Sequence, residues 1–393
     1  MRRSLLALTA SIALASGACT ETPNANTPPP RAAAPPVGSP VTPSGKTRIA
    51  LLLPLSGASA AIGQALQQAA EMSLFDSGAK ELAIAAYDSG DRPESAIQAY
   101  RKARTEGAAL VLGPLFGSSA TALAALVAQG GPSVISFSND EQAAQPGVWV
   151  MGISPPPQVR RVVDYAFKSG LRRFAALAPR STYGEQMTRT LESHVAVRGG
   201  EMAAVEFFDQ GGSLQAAAQR LADEVKHDTR GGGGKVAVLL PVAPPQISTV
   251  VASLSAAGLD NSTVQLIGTG VWDVPGIGSE PMLRGAWYAA PDPARRADFE
   301  RRFVSTYGRP PHRLATLAYD AVALAGRLAR LKAGGDFSAD AITNPNGWSG
   351  VDGVFRFLAD GRSERGLAVI EIQGDRNVVV SPAPTTFVAA STN

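Results

Sequence analysis

Arg48-Ile-Ala-Leu-Leu-Leu-Pro54 is an apolar run closed by a proline, and the residues after it switch to helical spacing. A run that is apolar at consecutive positions suits a strand buried on both faces. Within residues 60–76, Ile62, Leu66, Ala69, Ala70 and Leu74 then fall on one side of a helix. A strand at 82–87, a helix at 93–106, short strands at 109–112 and 132–137, and an Ala-rich helix at 119–129 continue the alternation. Each helix opens just after a Pro, Gly or Ser cluster, as helix starts require. Such alternation predicts βαβ units, hence a parallel sheet with helices on both faces.

The pattern then restarts. Strands at 172–178, 201–208, 236–240 and 264–267 alternate with helices at 183–197, 214–226 and 247–257. Two α/β runs of about a hundred residues each favour two lobes over one large sheet. The expected fold class is therefore α/β and two-lobed, with a parallel sheet flanked by helices in each lobe. Gly152-Ile-Ser-Pro-Pro-Pro157 lies between the runs and reads as a stiff crossover. Helices at 294–307 and 314–331 follow, then hairpin-like strands near 353–357, 367–372 and 378–380. The glycines at 231–234 read as a flexible surface loop.

The N-terminus is of a different kind. Met1-Arg2-Arg3 is a positive start, residues 5–15 form a short apolar run, and Ser16-Gly17-Ala18 are small residues ahead of Cys19. That run is too short to span a bilayer, so residues 1–18 read as a cleaved signal. Cys19, the single cysteine of the chain, stands where a bacterial lipoprotein signal places its acylated thiol, although Ser16 replaces the usual Leu. Residues 20–45 hold eight Pro, no aromatic residue and no Leu or Ile. Such a segment cannot bury enough apolar surface to offset its ordering entropy. Residues 19–45 are expected to be a lipid-anchored, Pro-stiffened tether. Thr20, in place of the Asp that commonly holds lipoproteins at the inner membrane, points to a periplasmic protein anchored in the outer membrane.

Composition excludes several classes. Lys+Arg number 36 against 33 Asp+Glu, and with Arg2 and Arg3 removed the balance is 34 to 33. The charges are scattered, so no basic block concentrates the field that a nucleic acid needs. One cysteine forms no internal disulfide, and three separated histidines (His194, His227, His312), read as solvated surface residues, make no ligand cluster. Gly45-Lys46-Thr47 resembles the end of a P-loop, but Pro40 stands where a Gly is needed and the string precedes its strand. Ser77-Gly-Ala-Lys80 ends a helix without a following Lys-Thr-Gly, and no Gly-x-Ser-x-Gly elbow exists. Gly268-x-Gly270 runs on to Asp273 instead of a third Gly. No nucleophile–base pair, metal set or cofactor motif survives, and an enzyme is not expected.

What remains is a series of polar loops at strand C-termini, where open α/β sheets bind ligands. They carry Ser56; Phe116 with Ser118 and Ser119; Ser138, Asn139 and Asp140; Tyr183; and Trp272. Hydroxyls, backbone N–H groups near helix starts and one aromatic per lobe suit a small polar or anionic group. Taken singly, each loop is also what turns and helix caps require. Together, with Tyr183 and Trp272 expected to face the same side, they predict a cleft between the lobes.

These residues carry a resemblance. Ile49-Ala-Leu-Leu-Leu-Pro-Leu-Ser-Gly57, Leu112-Gly-Pro-Leu-Phe116, Tyr183-Gly184 and Gly350-Val-Asp-Gly-Val-Phe355 resemble the type 1 periplasmic binding proteins of the leucine-binding-protein family. Within it, Phe137-Ser-Asn-Asp140 and Pro146-Gly-Val-Trp149 resemble the lipoproteins known as penicillin-binding-protein activators. The resemblance spans residues 46–385 and leaves 386–393 as a tail. It implies lobe 1 from 46–152 and 292–347, lobe 2 from 155–290 and 350–385, and crossings near 153, 291 and 348. It also implies a ligand carboxylate held by Ser118 or Ser119 and by residues 138–140, with Tyr183 capping the ligand. The family's acidic partner for a ligand ammonium would fall at Gly270, which has no carboxylate. An ammonium buried without a counter-ion is costly.

Two functions of different kinds follow, the first of them expected and the second its alternative. One is a non-catalytic lipoprotein that activates a peptidoglycan synthase, a penicillin-binding protein. The lipid anchor, the tether, the Phe-Ser-Asn-Asp string and the missing ammonium partner point to it. The other is a receptor that presents an amino acid or related small polar solute to an ABC transporter permease.

Overall fold

The computed structural model describes residues 45–387 apart from 210–211, 231–233 and 375. The signal segment, Cys19, the tether and glycines 231–233 lie outside the described residues. In chain order, the first α/β run comprises β1 (Thr47–Leu53), α1 (Ala60–Ser77), β2 (Leu82–Asp88), α2 (Pro93–Thr105), β3 (Leu110–Leu112), α3 (Gly117–Ala128), β4 (Ser133–Ser136) and β5 (Val148–Val150). The second comprises α4 (Pro155–Lys168), β6 (Arg173–Pro179), α5 (Thr182–Val197), β7 (Glu201–Phe208), α6 (Leu214–Arg230), β8 (Val236–Leu239), α7 (Gln246–Ala256), β9 (Val264–Thr269) and β10 (Trp287–Ala290). Then come α8 (Pro293–Tyr307), α9 (Ala315–Ala329), α10 (Ala339–Ile342), β11 (Trp348–Gly350), β12 (Gly353–Phe357), β13 (Ser363–Arg365), β14 (Ala368–Gln373) and β15 (Arg376–Ser381).

Among the described residues, the first sheet is five-stranded and parallel, in the order β2-β1-β3-β4-β5. The second runs β15-β14-β10-β9-β8-β6-β7. Its β7-β6-β8-β9-β10 portion is parallel and repeats the winding of the first sheet, while β14 and β15 add antiparallel at the far edge. Both sheets thus follow the doubly wound order whose ligands sit beyond the strand carboxyl ends. Buried apolar positions explain the strands: Ile49 to Leu53 of β1 and Val236 to Leu239 of β8 are all at most 1% exposed, as two-sided coverage by helices demands.

The return segment completes lobe 1. Helix α9 packs against α1 through alanines that let the axes approach, and Phe299 and Phe303 of α8 fill the same core. Gly152–Pro157 is not simply a connection. Pro155, Pro156 and Pro157 form the first turn of α4, where a missing N–H costs nothing because those donors have no intrahelical acceptor. The third crossing also falls later than 348. Phe355 and Phe357 of β12 are 1% exposed and belong to the core of lobe 1 with Trp149 and Trp348. Lobe 2 therefore resumes at Leu367, not at 350. Arg161 of α4 fastens that crossing, donating from Nε to the Leu367 carbonyl at 2.8 Å and from Nη2 to Ser381 Oγ at 2.7 Å.

Candidate functional site

The carboxyl ends of both sheets face one cavity of about 480 Å³. Lobe 1 contributes Leu115 and Phe116 after β3, Phe137, Ser138 and Asn139 after β4, and Ile62 from α1. Lobe 2 contributes Gln158 and Pro155 from α4, Tyr183 from α5, and Gly270 and Val271 after β9. The crossings add Gly152, Ile153 and Pro291, and Arg313, Leu314 and Leu317 close the side where α9 begins.

Four of the nine residues expected from sequence line this space: Phe116, Ser138, Asn139 and Tyr183. The other five have structural positions elsewhere. Trp272 is fully buried in the lobe 2 core, its indole N–H donating to the Val242 carbonyl at 2.9 Å. Ser56 is exposed, and its backbone N–H joins those of Leu55 and Gly90 on Asp88 Oδ1. Ser118 is exposed on the first turn of α3, whereas Ser119 is buried there with no hydrogen-bond partner for its hydroxyl among the described residues. Asp140 caps a short turn by accepting from the Gln142 N–H at 3.0 Å. Asp140 also stands beside Gly117 instead of in the cavity.

The lobe 2 wall is held by its own hydrogen bonds. Tyr183 Oη and Thr269 Oγ1 are 2.7 Å apart. Burial raises the Tyr183 hydroxyl above the ordinary tyrosine range, and the Thr269 bond only partly offsets this. Gln158 is 6% exposed; its Oε1 accepts the Gly270 N–H at 2.6 Å, and its Nε2 donates to the carbonyls of Ile153 and Ser154. A Cβ at position 270 would stand 3.1 Å from Gln158 Oε1. A side chain there would therefore press on the Gln158 amide, which its hydrogen bonds hold in place.

Behind Arg313 lies a buried cluster of charges spanning the crossings. Arg296 of α8 donates to Asp273 Oδ2 at 2.9 Å, with its Nε 3.5 Å from Asp352 Oδ1. Asp352 is fully buried and accepts from Thr316 Oγ1 at 2.5 Å. Burial alone would raise the Asp352 carboxyl; the guanidiniums of Arg313, Arg365 and Arg296 outweigh it and hold the group below the usual aspartate range. Arg313 itself was not legible as a site residue, because it precedes α9 in what reads as a plain interhelical loop. Gln158 was hidden by the run of prolines before it.

Other features are structural. His194 is only partly solvated: its Nε2 lies 2.9 Å from Asp164 Oδ1. An open depression of about 770 Å³ outside the crossings is rich in arginine. Arg161, Arg198 and Arg362 in it are already committed to Ser381, Asp164 and Asp360. Among the described residues, no group of acidic or histidine side chains is placed to hold a metal ion, and no helix is long and apolar enough to cross a membrane. No histidine, lysine or carboxylate among the described residues lines the cavity, so Ser138 has no base beside it there.

A family model described as periplasmic binding protein matches residues 46–377. An uncharacterized protein of Rickettsia prowazekii is 22% identical over 228 residues, covering 58% of this chain and 61% of its own length. The penicillin-binding protein activator LpoA of Yersinia pseudotuberculosis is 24% identical over 177 residues, covering 44% of this chain and 24% of its own length. The chain thus spans less than two thirds of either relative. Among solved structures, a branched-chain amino acid ABC transporter protein from Rhodospirillum rubrum has a TM-score of 0.74 at 20% identity, over 85% of this chain and 100% of that one.

Proposed function

The chain belongs to the periplasmic binding protein family, of the type 1, leucine-binding kind, and we propose that it is a non-catalytic, lipid-anchored receptor whose lobes close over a small solute. The observation that carries this reading is the cavity of about 480 Å³ walled by both lobes and by their crossings. Its size and its mixture of apolar walls with a few polar groups are those of a small-molecule site. Capture outside the cytoplasm and delivery to an ABC transporter permease is the use that such a site supports.

The test is the melting temperature of the mature chain against amino acids, carboxylic acids, short peptides and peptidoglycan fragments. A ligand at about 100 times its dissociation constant stabilises the fold by roughly 2.7 kcal/mol, a shift of a few degrees. A saturable shift with one class, abolished by Tyr183→Ala in a protein that still melts cooperatively, is the expected result. No saturable shift with any class would overturn the reading.

The match to LpoA, with the strings at 137–140 and 146–149, supports a second reading: an outer-membrane lipoprotein that stimulates a peptidoglycan synthase through its surface. On that reading the mature chain raises the rate of a purified synthase, and Tyr183→Ala stimulates as well as the parent. A synthase rate unmoved by the protein would remove this alternative.

A further inference from the structure

We propose that the cleft takes an apolar monocarboxylic acid without an ammonium group, with Arg313 as the counter-ion for its carboxylate; this rests on the receptor reading above. Charge comes first. Among the described residues lining the cavity, Arg313 is the charged one, and no carboxylate faces the space. The guanidinium makes no hydrogen bond among the described residues. Its ion pairs, to Asp273 Oδ2 and Asp352 Oδ1, are both 3.8 Å long. Its side chain is 37% exposed. A planar fork of donors with none in hydrogen-bond geometry is suited to a bidentate carboxylate.

The charges behind it are those of Arg296, Arg365, Asp352 and Asp273, with Glu300 also acting on Arg296 and Asp320 held largely protonated below neutral pH. Arg313 reaches the anions among them through its two 3.8 Å ion pairs, which leave its donors out of hydrogen-bond geometry.

The opposite wall offers an ammonium no carboxylate. The Gln158 amide is consumed by Gly270, Ile153 and Ser154, and the Tyr183 hydroxyl is engaged with Thr269. The start of α4, which elsewhere would present N–H groups to an anion, is Pro155-Pro156-Pro157 and presents hydrocarbon. Leu115, Phe137 and Leu317, all under 9% exposed, complete an apolar chamber. Recognition is thus concentrated at one cationic residue, with Asn139 as an exposed amide lining the same cavity.

The experiment titrates the mature chain by calorimetry with 3-phenylpropanoate, phenylalanine, 3-phenylpropanol and 2-phenylethylamine, which share a body and differ in charge. The acid is expected to bind at least tenfold more tightly than the other three. Arg313→Gln should remove that margin. Because Arg313→Gln disturbs a buried cluster, Asn139→Asp serves as a second variant: it adds a carboxylate at an exposed position and should weaken acid binding at least tenfold. Phenylalanine or the amine binding more tightly than the acid would overturn the assignment and leave the receptor reading standing. Acid binding indifferent to both substitutions would overturn it equally. If these probes and the wider panel all fail to bind, the receptor reading falls with it.

Discussion

Asp320 shows how far one buried carboxyl can set the pH response of the fold. It is 2% exposed; Oδ1 accepts the Val351 N–H at 2.8 Å and Oδ2 has no hydrogen-bond partner among the described residues. Burial, then the neighbouring charge of Asp352, push its pKa up to about 7 against the partial relief given by Arg365 and two backbone N–H groups. In the unfolded chain the same group titrates near 3.8. Between these values the native state keeps a proton that the unfolded state has lost. Stability therefore falls as pH rises from about 4 to 7, by about 1.4 kcal/mol per pH unit for this group, and levels off above. Asp352 acts in another window. Its folded pKa is depressed, so its contribution is present above the unfolded value and is lost as pH falls through the folded one. Asp320→Asn should flatten the wild-type decline in urea-unfolding free energy between pH 4 and 7. A variant that declines as steeply as the parent would show that Asp320 is not the group responsible.

At the scale of elements, each lobe brings the helix that follows its first strand back onto that strand through a glycine. In α1, a Cβ on Gly63 would collide with the carbonyl oxygen of Pro54 just past β1; in α5, a Cβ on Gly184 would collide with that of Pro179 at the end of β6. Both obstacles are backbone, so neither can swing aside. Alanine would add about 0.8–1.0 kcal/mol of helix propensity, but overpacking typically costs about 1–3 kcal/mol, and against an immovable carbonyl the collision outweighs the propensity. Gly63→Ala and Gly184→Ala are each expected to lower the urea midpoint with an unchanged slope; a raised midpoint would show that the helices yield. The long apolar runs behind β1, β6 and β8 were legible because burial on both faces leaves no other composition. Strands β5 and β10 were not, since no α-helix separates either from the strand before it and the alternation is lost there. Helix α4 was hidden because a Pro run marks a connection and a first helical turn alike. Phe355 and Phe357 announced burial without saying in which lobe, which displaced the third crossing. The residues lining the cavity were foreseen only in part. Loops after strand ends gave Phe116, Ser138, Asn139 and Tyr183, but an aromatic such as Trp272 after a strand fills a core as readily as a cleft. Arg313 enters from the loop before α9 and Gln158 from the first turns of α4, which no strand-end rule covers.

For the whole molecule, the lobes are joined by three crossings, so their relative position depends on what braces them. Asp273 belongs to lobe 2, between β9 and β10, and Arg296 to lobe 1 on α8; their side chains are 14% and 10% exposed. The 2.9 Å contact between them bridges the second crossing from inside, where ions screen it little. Arg365, donating to the Met151 carbonyl at 3.1 Å, ties the first crossing to the third in the same cluster. Breaking a buried pair by removing one partner typically costs about 3–5 kcal/mol; the cost here is lower because Asp352 remains beside Arg296. Asp273→Asn should therefore leave a folded protein whose lobes sample a wider range of angles. Cysteines placed at Phe75 of lobe 1 and Val197 of lobe 2, 86% and 82% exposed, would carry spin labels once Cys19 is replaced. The Asp273→Asn protein is expected to give a broader interlobe distance distribution than its parent, narrowed again by a bound acid that engages Arg313. Equal widths in the two proteins would mean that the crossings alone hold the lobes and that the ion pair serves only to neutralise buried charge.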